Sequence, residues 1–170
     1  LDEAKLAQVV KGIRDLIGLK DPVGDVLAET LLDDGLLLQK VSVPLGVVGV
    51  IFESRPDVIP QVLSLMLKSG NAVVLKGGSE ALCTNKAFMK IVVSLEKDCT
   101  FLPKHWATLI VSRKAVHEIL NFPQYVNLMI PRGSNALVQS IMKHTKIPVM
   151  GHSDGICHLY VDKDADLAKA

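Results

Sequence analysis

The sequence predicts an α/β fold, in which a doubly wound parallel sheet follows a helix and a β-hairpin arm. From residue 47 onward, short continuous runs of Val, Ile and Leu alternate with amphipathic stretches at helical spacing. Continuous apolar strands are typical of a parallel sheet that helices cover on both faces. The composition is that of a globular chain, since 49% of the residues are hydrophobic and 22% are charged.

The first part of the chain predicts an arm that leads into this domain. Apolar residues at helical spacing predict an amphipathic helix over 2–17. Residues 26–44 contain two extended segments around a turn at Asp33–Gly35, which predicts a β-hairpin. Such an arm packs either on a neighbouring domain or subunit or beside the core of its own domain, and both alternatives stay open. We therefore expect an arm over 1–46 and a domain over 47–170.

The alternating elements of the domain are assigned from apolar runs, helical spacing and turn residues. The predicted strands cover residues 47–53, 72–76, 107–111, 126–130, 147–150 and 156–162, and the predicted helices cover 57–70, 79–98, 112–121 and 134–144. We expect Asp57 to be the N-cap of the first of these helices and Gly70 to follow its C-terminus.

Charge and cysteine content exclude several classes of function. The 19 basic and 18 acidic residues nearly cancel, so electrostatics favour neither nucleic acid nor a membrane surface as partner. The apolar runs are shorter than the ~20 residues that a membrane span needs. Three dispersed cysteines without a secretory signal predict reduced thiols and a cytoplasmic location.

Because the chain begins at Leu1 and stops in what looks like a starting helix, we expect it to be part of a longer protein.

Three predicted strands end in unusual polar sequences, "FESRPD" (52–57), "LKGGSEA" (75–81) and "IPRGSN" (130–135). In an open parallel sheet, ligands bind beyond the carboxyl ends of the strands, where helices begin. If the strands are parallel, these three sequences share one edge of the sheet. Their convergence predicts a ligand site there.

Each strand end has a functional and a structural interpretation. Gly77 and Gly78 allow a ligand to approach the main chain. Lys76 would add a cation there, and Glu80 could accept hydrogen bonds from ribose hydroxyls. The alternative is an ordinary turn with a solvated lysine. Arg132, Gly133 and Ser134 suit a pyrophosphate at a helix start, or a simple helix cap. Arg55, extended before a proline, suits a phosphate or carboxylate, or a structural pair with an acid.

Familiar motifs are absent, since the chain has neither G-x-G-x-x-G nor a P-loop sequence. "GHSDGICH" (151–158) gathers His152, Asp154, Cys157 and His158. On a strand, Cys157 and His158 point to opposite faces, which argues against a shared metal, and we predict no metal site. Cys157 is more simply a buried strand cysteine than a nucleophile with His152 as its base.

Together these sequences resemble the γ-glutamyl phosphate reductases, also called glutamate-5-semialdehyde dehydrogenases, of the aldehyde dehydrogenase superfamily. The matching stretches, in order, are "VPLGVVGVIFESRPD" (43–57), "LKSGNAVVLKGGSEA" (67–81), "IPRGSNALV" (130–138) and "IPVMGHSDGICHLYVDKDADLAKA" (147–170). This superfamily binds NAD(P) on a doubly wound domain without the G-x-G-x-x-G motif. The resemblance implies that 47–170 is an NAD(P)-binding domain, truncated before the catalytic domain.

The resemblance also implies roles for residues at the three strand ends. Lys76, with Gly77, Gly78, Ser79 and Glu80, would line the adenosine ribose, and the turn at Arg132, Gly133 and Ser134 would open the helix under the pyrophosphate. Arg55 falls where many relatives carry the asparagine of the oxyanion hole, so it would contact an oxyanion or phosphate. Ser54, Arg55 and His152 would lie on the substrate side.

The reaction implied is NADPH-dependent reduction of γ-glutamyl phosphate to glutamate 5-semialdehyde in proline biosynthesis, with release of phosphate. The nucleophilic cysteine of that family would lie downstream of this chain, so we expect a cofactor-binding fragment without activity of its own. The expected partners are the acyl phosphate, a glutamate 5-kinase partner or fusion as in pyrroline-5-carboxylate synthase, and further copies of the chain. The alternatives are an aldehyde dehydrogenase with another acyl substrate and a non-catalytic binding or assembly module.

Overall fold

The computed structural model describes residues 2–53, 55, 57–151, 159–166 and 168–169. The helices are α1 (Glu3–Ile17), α2 (Val58–Lys68), α3 (Leu82–Asp98), α4 (Arg113–Ile119) and α5 (Asn135–His144), with a 3₁₀ turn at Ser79–Ala81. The strands are β1 (Val26–Asp33), β2 (Leu36–Val41), β3 (Val47–Phe52), β4 (Ala72–Lys76), β5 (Ala107–Leu109) and β6 (Leu128–Arg132). These elements confirm the predicted alternation of strands and helices.

The main sheet has four parallel strands in the order β5-β4-β3-β6. Strands β3, β4 and β5 follow one another toward one side, whereas β6 pairs with the other side of β3. The direction of winding therefore reverses at β3. A reversal of this kind leaves a crevice between the carboxyl ends of the two strands that flank it, here β3 and β6.

Helices cover both faces of the sheet, as predicted for a doubly wound fold. Val48, Val50 and Phe52 of β3 lie in a buried cluster with side chains of α2 and α3, whereas Ile51 lies in a second cluster with Ile141 of α5. This alternation follows from the two-residue period of a strand. Full burial of such side chains stabilises the fold by roughly 1.5–3 kcal/mol each.

Strands β1 and β2 form the predicted antiparallel hairpin, and its turn includes Gly35 at a φ of 74°. All of their residues are exposed. The hairpin base is closed around Ser42, whose Oγ accepts from the main-chain N–H of Asp25 at 2.9 Å and donates to the carbonyl of Pro22 at 2.6 Å. The division into an arm over 1–46 and a domain over 47–170 stays a prediction.

The structure departs from the predicted strands near the C-terminal end. Residues 147–150 make one parallel bridge, between Val149 and Met129, instead of a strand. Pro148 has no N–H, so it contributes its carbonyl, which accepts from Met129 N at 2.8 Å. Residues 159–162 are not in a strand either, and the rest of the predicted strand, 156–158, lies outside the described residues.

Within the described ranges, no helix combines the length and the apolar character needed to cross a bilayer.

Candidate functional site

The three polar strand ends meet at one edge of the sheet. Parallel pairing places Lys76 beside Ile51 and Arg132 beside Phe52, so β4 and β6 end on either side of the end of β3. Main-chain N of Glu53 continues the ladder by donating to the carbonyl of Arg132 at 3.1 Å. The crevice at the reversal of winding is therefore flanked by Glu53 and the Arg132 turn, with the Lys76 turn one strand away.

Gly78 begins the 3₁₀ turn in a conformation that any residue adopts, with φ −63° and ψ 157°. A Cβ atom on Gly78 would meet the carboxylate of Glu80, which folds back over the bare main chain. Since the backbone conformation does not require glycine at this position, the missing side chain instead makes room for the Glu80 carboxylate beside the main chain.

Gly77 lacks a side chain for a different reason. A Cβ on Gly77 would overlap Nδ2 of Asn85 and lie 2.9 Å from two ring atoms of Phe52. Phe52 and Asn85 are each 1% exposed. The glycine therefore allows the turn to pack directly on the buried aromatic ring and on the amide.

Asn85 lies beside this turn and is not among the site residues predicted from the sequence. Neither atom of its amide has a hydrogen-bond partner among the described residues. The signal was present in the sequence, because Asn85 lies three and four residues from Ala81, Leu82, Phe88 and Met89, in the apolar stripe of its helix. A polar residue at such a position is uncommon enough to mark it.

Lys76 provides a cation at the end of β4. Its residue is half-buried, and no described carboxylate lies within 4 Å of its Nζ. A lysine at the edge of a parallel sheet with no acidic partner is available to an anionic ligand.

The turn after β6 starts α5 and already contains an internal anion. Ser134 is the N-cap, and its Oγ accepts from Leu137 N at 3.4 Å. Its own main-chain N donates to Oε2 of Glu53 at 2.9 Å, and the same carboxylate lies where a Cβ on Gly133 would. A helix start favours negative charge, which Glu53 supplies in this structure. A pyrophosphate at the predicted position would have to displace Glu53.

Arg55 is half exposed and pairs weakly with Asp57, with 3.8 Å between Nη2 and Oδ2. An exposed pair at this distance contributes about 0–1 kcal/mol, so the guanidinium leaves it at little cost. Asp57 is the N-cap residue of α2, as predicted, although its side chain makes no cap bond. Its carboxylate instead accepts from Gln61 Nε2 at 3.0 Å.

Ser54, His152 and Cys157 lie outside the described residues. Within the part of the chain that is described, no three His, Cys, Asp or Glu side chains cluster so as to hold a metal ion.

No protein-family model matches the chain. Curated relatives do match it throughout. The Gamma-glutamyl phosphate reductase of Brachyspira hyodysenteriae is 54% identical over 170 residues, which is 100% of this chain and 39% of that protein. The protein of the same name from Pelotomaculum thermopropionicum is 54% identical over 169 residues, again 39% of its length. The chain is therefore homologous to part of the gamma-glutamyl phosphate reductases.

Solved gamma-glutamyl phosphate reductases share the fold of this chain. The protein from Thermotoga maritima has a TM-score of 0.90 at 37% identity, over 99% of this chain and 41% of its own. The protein from Saccharomyces cerevisiae has a TM-score of 0.83 at 46% identity, over 99% of this chain and 43% of its own. Succinate-semialdehyde dehydrogenase from Burkholderia pseudomallei, at 22% identity and a TM-score of 0.70, shares the fold alone. The predicted aldehyde dehydrogenase-like fold is confirmed.

Proposed function

We propose that this chain is the cofactor-binding portion of a gamma-glutamyl phosphate reductase. The reaction converts γ-glutamyl phosphate, NADPH and a proton into glutamate 5-semialdehyde, NADP⁺ and inorganic phosphate. The whole-length match to proteins of that name supports the family, although the chain spans 39% of the first two relatives. The observation that carries the proposal is the convergence of three polar strand ends at one edge of the sheet, two of them at the reversal of winding.

The residues at this edge fit a dinucleotide. Lys76 offers a cation without an acidic partner among the described residues, and Gly78 carries no side chain although its φ does not require glycine. We assign Lys76, Gly77, Gly78, Ser79 and Glu80 to the adenosine end of the ligand. When bound, the dinucleotide would supply hydride to the acyl carbon.

The pyrophosphate is assigned to the start of α5, at Arg132, Gly133 and Ser134. Because Ser134 N is bonded to Glu53 in this structure, the pyrophosphate and the Glu53 carboxylate would compete for that N–H. Arg132 is exposed and adds a cation that offsets the repulsion between the two anions. Binding at this end would therefore be accompanied by movement of the Glu53 side chain.

Arg55 is assigned to the acyl phosphate or the oxyanion that forms on its carbonyl. Its weak contact with Asp57 leaves most of its donors available, and a planar guanidinium matches the oxygens of a phosphate. Ser54 and His152 are assigned to the same substrate side. Arg55→Gln should raise the KM for γ-glutamyl phosphate while leaving the Kd for NADPH unchanged, and Arg14→Gln on α1 is the matched control.

The cofactor assignment is tested by fluorescence titration of NADPH into the protein expressed from its complete reading frame. Lys76→Ala should weaken binding by about 5–150-fold, the range of ~1–3 kcal/mol for a lost charge-assisted contact. Lys97→Ala, an exposed lysine in the last turn of α3, should bind like the wild type. Parallel titration with NADH measures the preference between the two dinucleotides. Wild-type protein that binds neither would overturn the proposed function.

We further propose that the protein self-associates through its hairpin, in the cytoplasm. Leu31 and Leu37 are register partners that are 68% and 53% exposed. Exposed apolar surface on a hairpin that pairs with no other described strand favours an interface. Leu31→Asp should reduce the mass measured by light scattering, whereas Thr30→Asp, on the opposite face of β1, should leave it unchanged.

A further inference from the structure

The buried amide of Asn85 is the feature that the proposed roles leave unexplained. Asn85 lies in the first turn of α3 and is 1% exposed. Neither Nδ2 nor Oδ1 has a hydrogen-bond partner among the described residues. Native proteins contain few such groups, because an unpaired buried amide costs free energy that an apolar side chain of similar size does not.

The direction of the helix explains where the amide points. Helical side chains lean toward the N-terminus, so Asn85 reaches back along α3 to the turn that follows β4. Its Nδ2 lies where a Cβ on Gly77 would be, and two ring atoms of Phe52 lie 2.9 Å from that same point. The amide thus lies directly beneath the main chain of the turn that we assign to the adenosine end of the dinucleotide.

A second buried asparagine shows what a purely structural amide does in this fold. Asn71 is 7% exposed, and it lies at the opposite end of β4. Its Oδ1 accepts from Gly46 N at 2.9 Å, and its Nδ2 donates to the carbonyl and the hydroxyl of Ser69 at 3.2 and 2.8 Å. Asn71 is fully bonded without a ligand, whereas Asn85 is not.

We propose that Asn85 is a positioning residue for the dinucleotide, and that its amide becomes hydrogen-bonded when the ligand binds at the Gly77–Gly78 turn above it. In the free protein the amide has no described partner, and the fold tolerates its cost. In the bound protein it bonds to the turn, directly or through one water, and holds the main chain in the conformation that receives the ribose. This inference rests on the proposed binding of a dinucleotide at the turn.

The experiment compares Asn85→Leu with Asn71→Leu in the protein expressed from its complete reading frame. Each variant is unfolded with urea in the absence of cofactor and titrated with NADPH by fluorescence. Asn85→Leu should unfold at a urea concentration equal to or above that of the wild type, yet bind NADPH roughly tenfold more weakly, the scale of one lost hydrogen bond. Asn71→Leu should unfold at lower urea and bind NADPH with wild-type affinity.

The outcomes separate this inference from the function on which it rests. If the wild type binds NADPH and Asn85→Leu binds it equally well, Asn85 has no role in binding and the inference is wrong. If the wild type does not bind NADPH, the proposed function fails, and the inference with it. Should leucine at position 85 prevent folding, Asn85→Ala, which removes the amide without adding branched bulk, gives the same two readouts.

Discussion

Alanine at Gly77 and alanine at Gly78 add the same methyl group one residue apart, yet we expect different effects on folding. The methyl group at Gly77 would overlap Nδ2 of Asn85 and come within 2.9 Å of the Phe52 ring. Both neighbours are 1% exposed, so neither can move without disturbing the core. Overpacking of this kind costs about 1–3 kcal/mol of unfolding free energy.

At Gly78 the added methyl group meets the end of a flexible side chain instead. The nearest atoms belong to the carboxylate of Glu80, at the end of a flexible and exposed side chain. The φ of −63° suits alanine, which also restricts the unfolded chain and so stabilises by about 0.4–1 kcal/mol. With a urea slope of about 2 kcal/mol/M, the unfolding midpoints of the two variants should differ by roughly 1–2 M.

The assay is urea unfolding followed by circular dichroism, with NADPH titration of each folded variant. Gly78→Ala should remain folded but bind NADPH more weakly, because the methyl group covers main chain assigned to the ligand. Equal midpoints for the two variants would refute the packing argument at Gly77. Wild-type affinity in Gly78→Ala would show that the main chain of Gly78 does not contact the ligand.

Three further predictions concern charge, packing and pH. Glu53→Gln keeps a hydrogen-bond acceptor for the start of α5 but removes a negative charge. NADPH titration of this variant should therefore show an affinity about two- to fivefold higher than that of the wild type. A lower affinity would contradict the assigned pyrophosphate position. Trp106→Ala should lower the free energy of unfolding by about 3–5 kcal/mol. Trp106→Phe should lower it much less, because phenylalanine keeps most of the packing and removes an indole N–H without a described partner. The pKa of Asp162 is lowered by a main-chain hydrogen bond from Asp164 and by the Tyr160 hydroxyl. The ionised carboxylate therefore stabilises the turn around it at pH values above the ordinary aspartate pKa. This stabilisation is lost as the pH falls through the lowered pKa. NMR titration should give a higher pKa in Tyr160→Phe, and an unchanged pKa would exclude the hydroxyl as a cause.

The sequence predicts features that depend on local pattern. Apolar runs and turn residues locate the strands because neighbouring side chains decide them, and the hairpin turn at Asp33–Gly35 follows from its own residues. The same logic fails at residues 147–150, where Pro148 lacks the N–H that a full ladder requires.

Contacts between distant residues could not be predicted in the same way. The hydrogen bond from Ser134 N to the Glu53 carboxylate joins residues that are 81 positions apart in the sequence. This contact depends on the strand order that places β6 beside β3. Asn85 shows the opposite case, because its position in an apolar stripe was visible but its lack of a partner depends on how closely Gly77 packs. The sequence could thus predict which strand ends share one edge of the sheet, while the contacts among them required the three-dimensional arrangement.

The strand order also affects how the domain folds. Near the start of β3, the main-chain N–H of Gly46 donates a hydrogen bond to Asn71, which precedes β4 and lies 25 positions along the chain. The main-chain N–H of Val47 donates to Asn127, which precedes β6 and lies 80 positions along the chain. Because closing a longer loop costs more entropy, and distant pairings slow folding, we infer that β6 docks after β3 and β4 have paired. The turn at Lys76 would then form early and the turn at Ser134 late, so a ligand that spans both could stabilise the finished sheet without accelerating its early assembly.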